Sequence, residues 1–395
     1  MSGGWESEDA GPARTQVAEG PAPTGALRVV SRDAPGAHMV IIGAGGDVFV
    51  YGTSFGEDHT AWVEKIDPET LERIDRIDGL AGGPWWPGGL ALHPSGALHV
   101  VHGRWAHRLT TALEITASRA LPEERPYNSF VILPDGHLLT KDLVRDGSVC
   151  SSLAVLEPDD LRVVDEVEAP EGSIARLSAD GDDAYVIGDH TAFRYRWDGA
   201  HLVRDPGWSF RYRTDPDQSY GWDPVIAGGQ VWFLDNGDHR YDGTMVGRGV
   251  APGPVHLVRV AVDDADDHEV VPVCGSGFGA VTNPPLYDER TGIVVAYDSA
   301  NGVIAAFDGG GPLTPRWQRA LNTAGHLIGF PDDGSLMAYH HEDGGESVVF
   351  LDIASGEERS RVATGSPMQS VVFPAAGGGV AYYASFSTIA RISGS

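Results

Sequence analysis

Four aspartates recur in one register of the chain. Asp142, Asp235 and Asp298 each stand six residues after a turn glycine and close an apolar run, and Asp189 takes the same place after a short extension. Acids gathered at one rim raise one another's pKa and can keep one carboxyl protonated beside an ionised one, the condition for general acid and general base acting together. Asp235 and Asp298 are the expected acid/base pair, with His326 as the third catalytic candidate. Asn128, Asn283, Asp142 and Asp189 would hold polar substrate groups, and Trp86, Tyr127, Tyr220 and Trp222 would form the walls. Aromatic walls suit an apolar or cationic substrate. Asp235 is preferred because an irregular, glycine-rich insertion at 236–254 follows it directly, and long insertions on a rigid scaffold are often functional flaps. The competing reading is that an Asp at a strand end caps its own turn or staples two loops.

The histidines His38, His102, His326 and His340 fall at related positions and form the alternative ligand set. A metal site needs about three or four donors in one coordination shell. No local ligand spacing supports one here, so no cofactor is expected, and a divalent metal serving a hydrolase or oxygenase is the second reading. The sequence has no P-loop, no dinucleotide-binding glycine motif and no nucleophile elbow.

The elements that must position these residues repeat. Turn glycines between two apolar runs stand at Gly46, Gly96, Gly136, Gly181, Gly229, Gly292, Gly334 and Gly379. The runs after them (VFVY, LHVV, AYVI, VWFL, IVVAY) carry the β-branched and aromatic signature of strands. Most repeats add a second hairpin, and four antiparallel strands every 40 to 63 residues predict an all-β, eight-bladed β-propeller. The last repeat lacks one strand, and ALRVV at 26–30 precedes the first full one, so an N-terminal strand is expected to complete the last blade and remove an open edge. Residues 1–25 read as a disordered tail, and 26–395 as a single propeller domain.

With 56 acidic against 28 basic side chains, the formal charge of -28 repels phosphate backbones and anionic lipid surfaces. Nucleic acid and membrane are therefore not expected partners. Cys150 and Cys274 have no disulfide-framework or zinc spacing, and no stretch has signal-peptide or membrane-span character, which points to the cytoplasm.

The hairpin Asp352-Ile-Ala-Ser-Gly356, and more loosely Asp67-Pro-Glu-Thr70, resembles those of PQQ-like repeat propellers of the quinoprotein-dehydrogenase-like superfamily, bacterial members included. The resemblance implies the propeller fold. Quinone enzymes of that superfamily carry a vicinal cysteine pair and are usually exported, features this chain lacks, so it does not imply quinone chemistry. The expectation is a small-molecule pocket at the channel mouth running non-redox lyase, hydrolase or cyclase chemistry. A third reading is a non-catalytic propeller that binds a protein partner.

Overall fold

The computed structural model describes residues 4–144, 147 and 149–395. Eight four-stranded antiparallel sheets form the ring, and seven of them are built from four strands consecutive in sequence. The eight turn glycines all lie at positive φ, between 58° and 93°, the left-handed region that a tight hairpin requires and that glycine enters without a Cβ penalty. Within a blade the inner strands are buried on both faces and the outermost is half-solvated. In the first blade, Val48–Thr53 is buried throughout whereas Arg73–Leu80 is mostly exposed. That is why the outer strands carry the charged residues and read as the least apolar runs.

Closure is as expected. Arg28–Asp33 pairs antiparallel with Thr388–Ser393, giving the eighth blade its outer strand. Arg32 on this strand donates to Leu71 O at 2.8 Å and to the buried Glu64 carboxylate, tying the closed edge to the first blade. Val40 N also donates to Phe373 O at 3.1 Å, so the first and eighth blades meet at the inner ring.

The N-terminal segment differs from the expectation of a disordered tail. Its backbone bonds the inner strands beside their hairpin turns. Trp5 and Ile42 exchange hydrogen bonds of 2.7 and 2.9 Å, Leu92 N donates to Glu6 O, Ala179 N to Pro12 O, and Ile226 N to Ala13 O. Gly329 N donates to Gln16 O, and Ala18 N donates back to Gly329 O. The segment thus straps the channel at the end opposite the rim that carries the candidate site. Trp5, Glu8, Asp9, Arg14 and Gln16 are all at most 3% exposed. The physical reason is backbone satisfaction: innermost strands leave unpaired N–H and C=O groups facing the channel, and a buried group of that kind must find a partner.

No helix is long and apolar enough to cross a membrane among the described residues. Cys150 and Cys274 are both free thiols.

Candidate functional site

Loops leading into the innermost strands converge at the other end of the channel with the insertion of the fifth blade. They enclose a cavity of ≈ 440 Å³. Trp85 and Trp86 enter from the loop before the second blade with ring centroids 6.4 Å apart, and Phe386 of the eighth blade lies 6.5 Å from Trp85. Tyr220 and Trp222, from the loop before the fifth blade, meet edge to face at 6.1 Å. Phe373, Asn283, Thr282 and Arg176 also line the cavity, and His239, Arg240 and Tyr241 line it from the insertion.

The insertion is pinned across the mouth rather than hanging free. Gln369, between the seventh and eighth blades, accepts from Met245 N at 2.6 Å through its side chain and from Tyr241 Oη at 2.7 Å through its backbone. Met245 is fully buried against Ala280, Ala300 and Ala324. Asn236 donates to Gly253 O and Gly279 O, closing the base of the loop. Gly237 has to be glycine, because a Cβ there would stand 2.3 Å from Trp222 Nε1.

Arg176 is 4% exposed. Its Nε donates to Asn128 O at 3.0 Å and lies 3.1 Å from Glu8 Oε2, Nη2 donates to Pro87 O at 2.9 Å, and the guanidinium sits 4.3 Å from the Phe373 ring centroid. Asp223 accepts from Arg176 N at 2.7 Å and stands 3.8 Å from Nη1. Arg240 is exposed at the mouth and makes no ion pair among the described residues. His239 Nδ1 lies 2.7 Å from Gly237 O, so in the neutral ring the proton sits on Nδ1 and Nε2 is the basic atom. Asn283 Nδ2 donates to Ala324 O at 2.6 Å, leaving its amide oxygen as the acceptor end.

Of the residues expected at the site, Trp86, Tyr220, Trp222 and Asn283 line the cavity. The others do not. Tyr127 is buried in the third blade's packing and takes Glu123 N on its hydroxyl at 3.2 Å. Asn128 is buried and donates to Ile174 O at 3.1 Å. Asp142 accepts from Arg125 and from Ser152 N, and Asp189 is buried with its amide donating to Gly172 O. Asp298 receives Asn301 Nδ2 at 2.6 Å and Ala280 N at 3.3 Å, and burial pushes its carboxyl up.

Asp235 is fully buried and accepts from His256 N at 2.6 Å, from Gln218 Nε2 at 2.5 Å and from His256 Nδ1 at 3.0 Å. Burial raises its pKa against these bonds, but the carboxylate faces its own hairpin and rim loop rather than the cavity. Asp235→Asn is therefore expected to cost ~1–3 kcal/mol of stability, since one charge-assisted bond in a buried network is lost. A lowered melting temperature with unchanged ligand affinity is the expected pair of readings, and the reverse pattern would place Asp235 in the site.

The four candidate metal histidines are separate. His38 is buried with Nδ1 on Gly36 O at 3.0 Å, and burial pushes its pKa down to about 3. His102 bridges Tyr51 Oη and His59 O at 2.8 and 2.7 Å. His340 accepts from Asn322 N, and His326 pairs with Asp9 at 2.7 Å beneath the cavity floor, its ring 4.2 Å from that of Phe373. No group of three His, Cys, Asp or Glu side chains suited to a metal occurs among the described residues.

Sequence reasoning missed Arg176, His239 and Arg240 as site residues. The available signal for Arg176 was a lone arginine in the otherwise small and apolar run Ser173–Leu177. His239 and Arg240 lay in the recognised insertion without a register to orient them.

No protein family and no curated protein matches the sequence. Solved structures do share the fold. A quinohemoprotein alcohol dehydrogenase from Pseudomonas putida HK5 aligns with a TM-score of 0.70 at 10% identity, covering 99% of this chain and 80% of that one. The quinohemoprotein alcohol dehydrogenase from Comamonas testosteroni gives 0.68 at 11%, with the same coverage of 99% and 80%. BamB from Moraxella catarrhalis gives 0.64 at 11%, covering 93% of this chain and 100% of that one. At such identities the likeness establishes the eight-bladed propeller fold and carries nothing about activity.

Proposed function

We propose that the cavity binds a flat, apolar small molecule bearing one anionic group, and that the protein acts on it by non-redox acid–base chemistry of the lyase or cyclase kind. One observation carries the reading: an aromatic-walled cavity whose lining includes Arg176 and Arg240 and, among the described residues, no carboxylate. The charge is opposite to that expected from the rim acids, so an anion replaces the cationic substrate as the favoured class. Arg240 would meet the anionic group at the mouth, and the rings of Trp86, Trp222 and Phe386 would cover the flat body. A carbonyl or hydroxyl of the ligand would face Arg176 at the floor. His239 Nε2 is the proton acceptor for a carbon or hydroxyl beside that carbonyl, and the Arg176 N–H groups hold and orient the carbonyl oxygen.

The quinone role carried by the structural neighbours' names does not fit these residues. Neither Cys150 nor Cys274 lines the cavity, and no vicinal cysteine pair exists in the sequence.

The test is calorimetric titration with three isosteres: naphthoate, naphthamide and naphthamidine. The anion is expected to bind tightest, and Trp86→Ala should weaken it roughly tenfold through lost ring contact. Preference for the amidine, or indifference to Trp86→Ala, would overturn the reading.

A further inference from the structure

Resting on that reading of the cavity, we infer that Glu8, on the N-terminal strap, is a specificity-determining residue that limits the ligand to a single anionic group. The two cations of the lining are not equivalent. Arg240 stands at the mouth without an ion-pair partner among the described residues, whereas Arg176 is already compensated from below. Glu8 Oε2 lies 3.1 Å from Arg176 Nε and 2.8 Å from Arg14 Nη2. Asp223 stands further off, 3.8 Å from Arg176 Nη1.

Glu8 reaches this place because the backbone of the strap bonds the inner strands on either side of it. It sits directly under Gly89, where a Cβ would come within 2.4 Å of Glu8 Oε1. Glu8 itself does not line the cavity, so its carboxylate acts on the floor through Arg176. A neutral acceptor on the ligand can take Arg176 N–H groups without disturbing the pair. A second carboxylate at the floor would face an Arg176 whose charge Glu8 already offsets and would be repelled by Glu8 behind it. The strap therefore does more than close the channel: it sets the charge that the floor accepts. Arg14, which shares Glu8, is paired again with Asp9 at 3.1 Å, so it does not cancel Glu8 on its own.

The experiment compares naphthoate with naphthalenedicarboxylate, whose second carboxylate lies at the far end of the ring, on the full-length protein and on two variants. The parent is expected to favour the monoanion. Glu8→Gln keeps an acceptor oxygen for Arg176 but removes the charge, and should shift the preference toward the dianion by about tenfold, the effect of one unit charge at close range in a partly screened site. Glu8→Asp, which retains the charge, should keep the parent's preference. A merely structural role for Glu8 would weaken both ligands alike and leave their ratio unmoved, which overturns the inference. Should Glu8→Gln fold poorly, loss of the parental preference in Glu8→Asp would overturn it as well. If the parent binds naphthoate no better than naphthamide, the reading of the cavity itself has failed, an outcome distinct from an unchanged ratio.

Discussion

Replacing Arg14 by Met is expected to lower the stability of the protein by about 3–5 kcal/mol, the cost of stranding buried carboxylates once their partner is gone. Arg14 is 2% exposed, meets Glu8 and Asp9 at 2.8 and 3.1 Å, and donates Nε to Leu177 O at 2.7 Å. Burial alone would push Asp9 up, but His326 and Arg14 overcome it and hold its carboxyl below the usual range. Burial pushes Glu8 up, and Arg14 and Arg176 only partly offset it. Met fills much of the same volume while removing the charge together with every donor, the one to Leu177 O included. For a chain of this length the loss corresponds to a fall of about 5 °C in melting temperature. Differential scanning calorimetry reads it directly. A melting temperature equal to the parent's would mean that the strap is not held in the channel.

His239→Gln is expected to reduce turnover by ~10²–10⁴-fold, the usual contribution of a general base, while leaving naphthoate affinity within about a factor of two. The assay is deuterium incorporation at the acetyl methyl of 6-acetyl-2-naphthoate, a flat monoanion whose acidic carbon lies beside a carbonyl at the end opposite the carboxylate, followed by proton NMR. The parent should exceed the uncatalysed exchange rate and His239→Gln should return to it. Gln keeps a donor for Gly237 O, which lies 2.7 Å from His239 Nδ1, so the loop is not released by the change. Parental exchange no faster than buffer, or a variant as fast as the parent, would remove His239 from the chemistry.

Much of the architecture was legible because it is local. A turn glycine with positive φ between two β-branched runs is written in adjacent residues, and eight such units at a regular interval leave few folds to choose from. The closing strand was legible for the same reason, since a three-stranded last repeat demands a partner. The register argument put Trp222 and Asn283 within one residue of the rim position, with Trp86 and Tyr220 as aromatic neighbours, and all four line the channel-mouth cavity. It failed for Asp142, Asp235 and Asp298 because position along a strand does not say whether a carboxylate turns to the channel or back to its own hairpin. In the case of Asp235 that choice is made by His256 N, a donor 21 residues away.

The strap was not legible. Its Gly, Pro and Ala content matches that of a solvated tail, and its backbone bonds reach each blade it meets through only one or two hydrogen bonds, which impose no periodicity on its sequence. Only Trp5 and the charged set Glu8, Asp9 and Arg14 hinted at burial. The insertion was recognised, but its fixation by Gln369 and by the alanines around Met245 is contributed from residues far along the chain.

The most direct measurement of the central claim is a crystal structure of the protein with naphthoate bound. The account predicts the ring system in the channel-mouth cavity against Trp86 and Trp222, with the carboxylate in hydrogen-bond contact with Arg240 and the far edge toward Arg176. Naphthoate absent from the cavity at saturating concentration, or bound with its carboxylate turned away from both arginines, would contradict it.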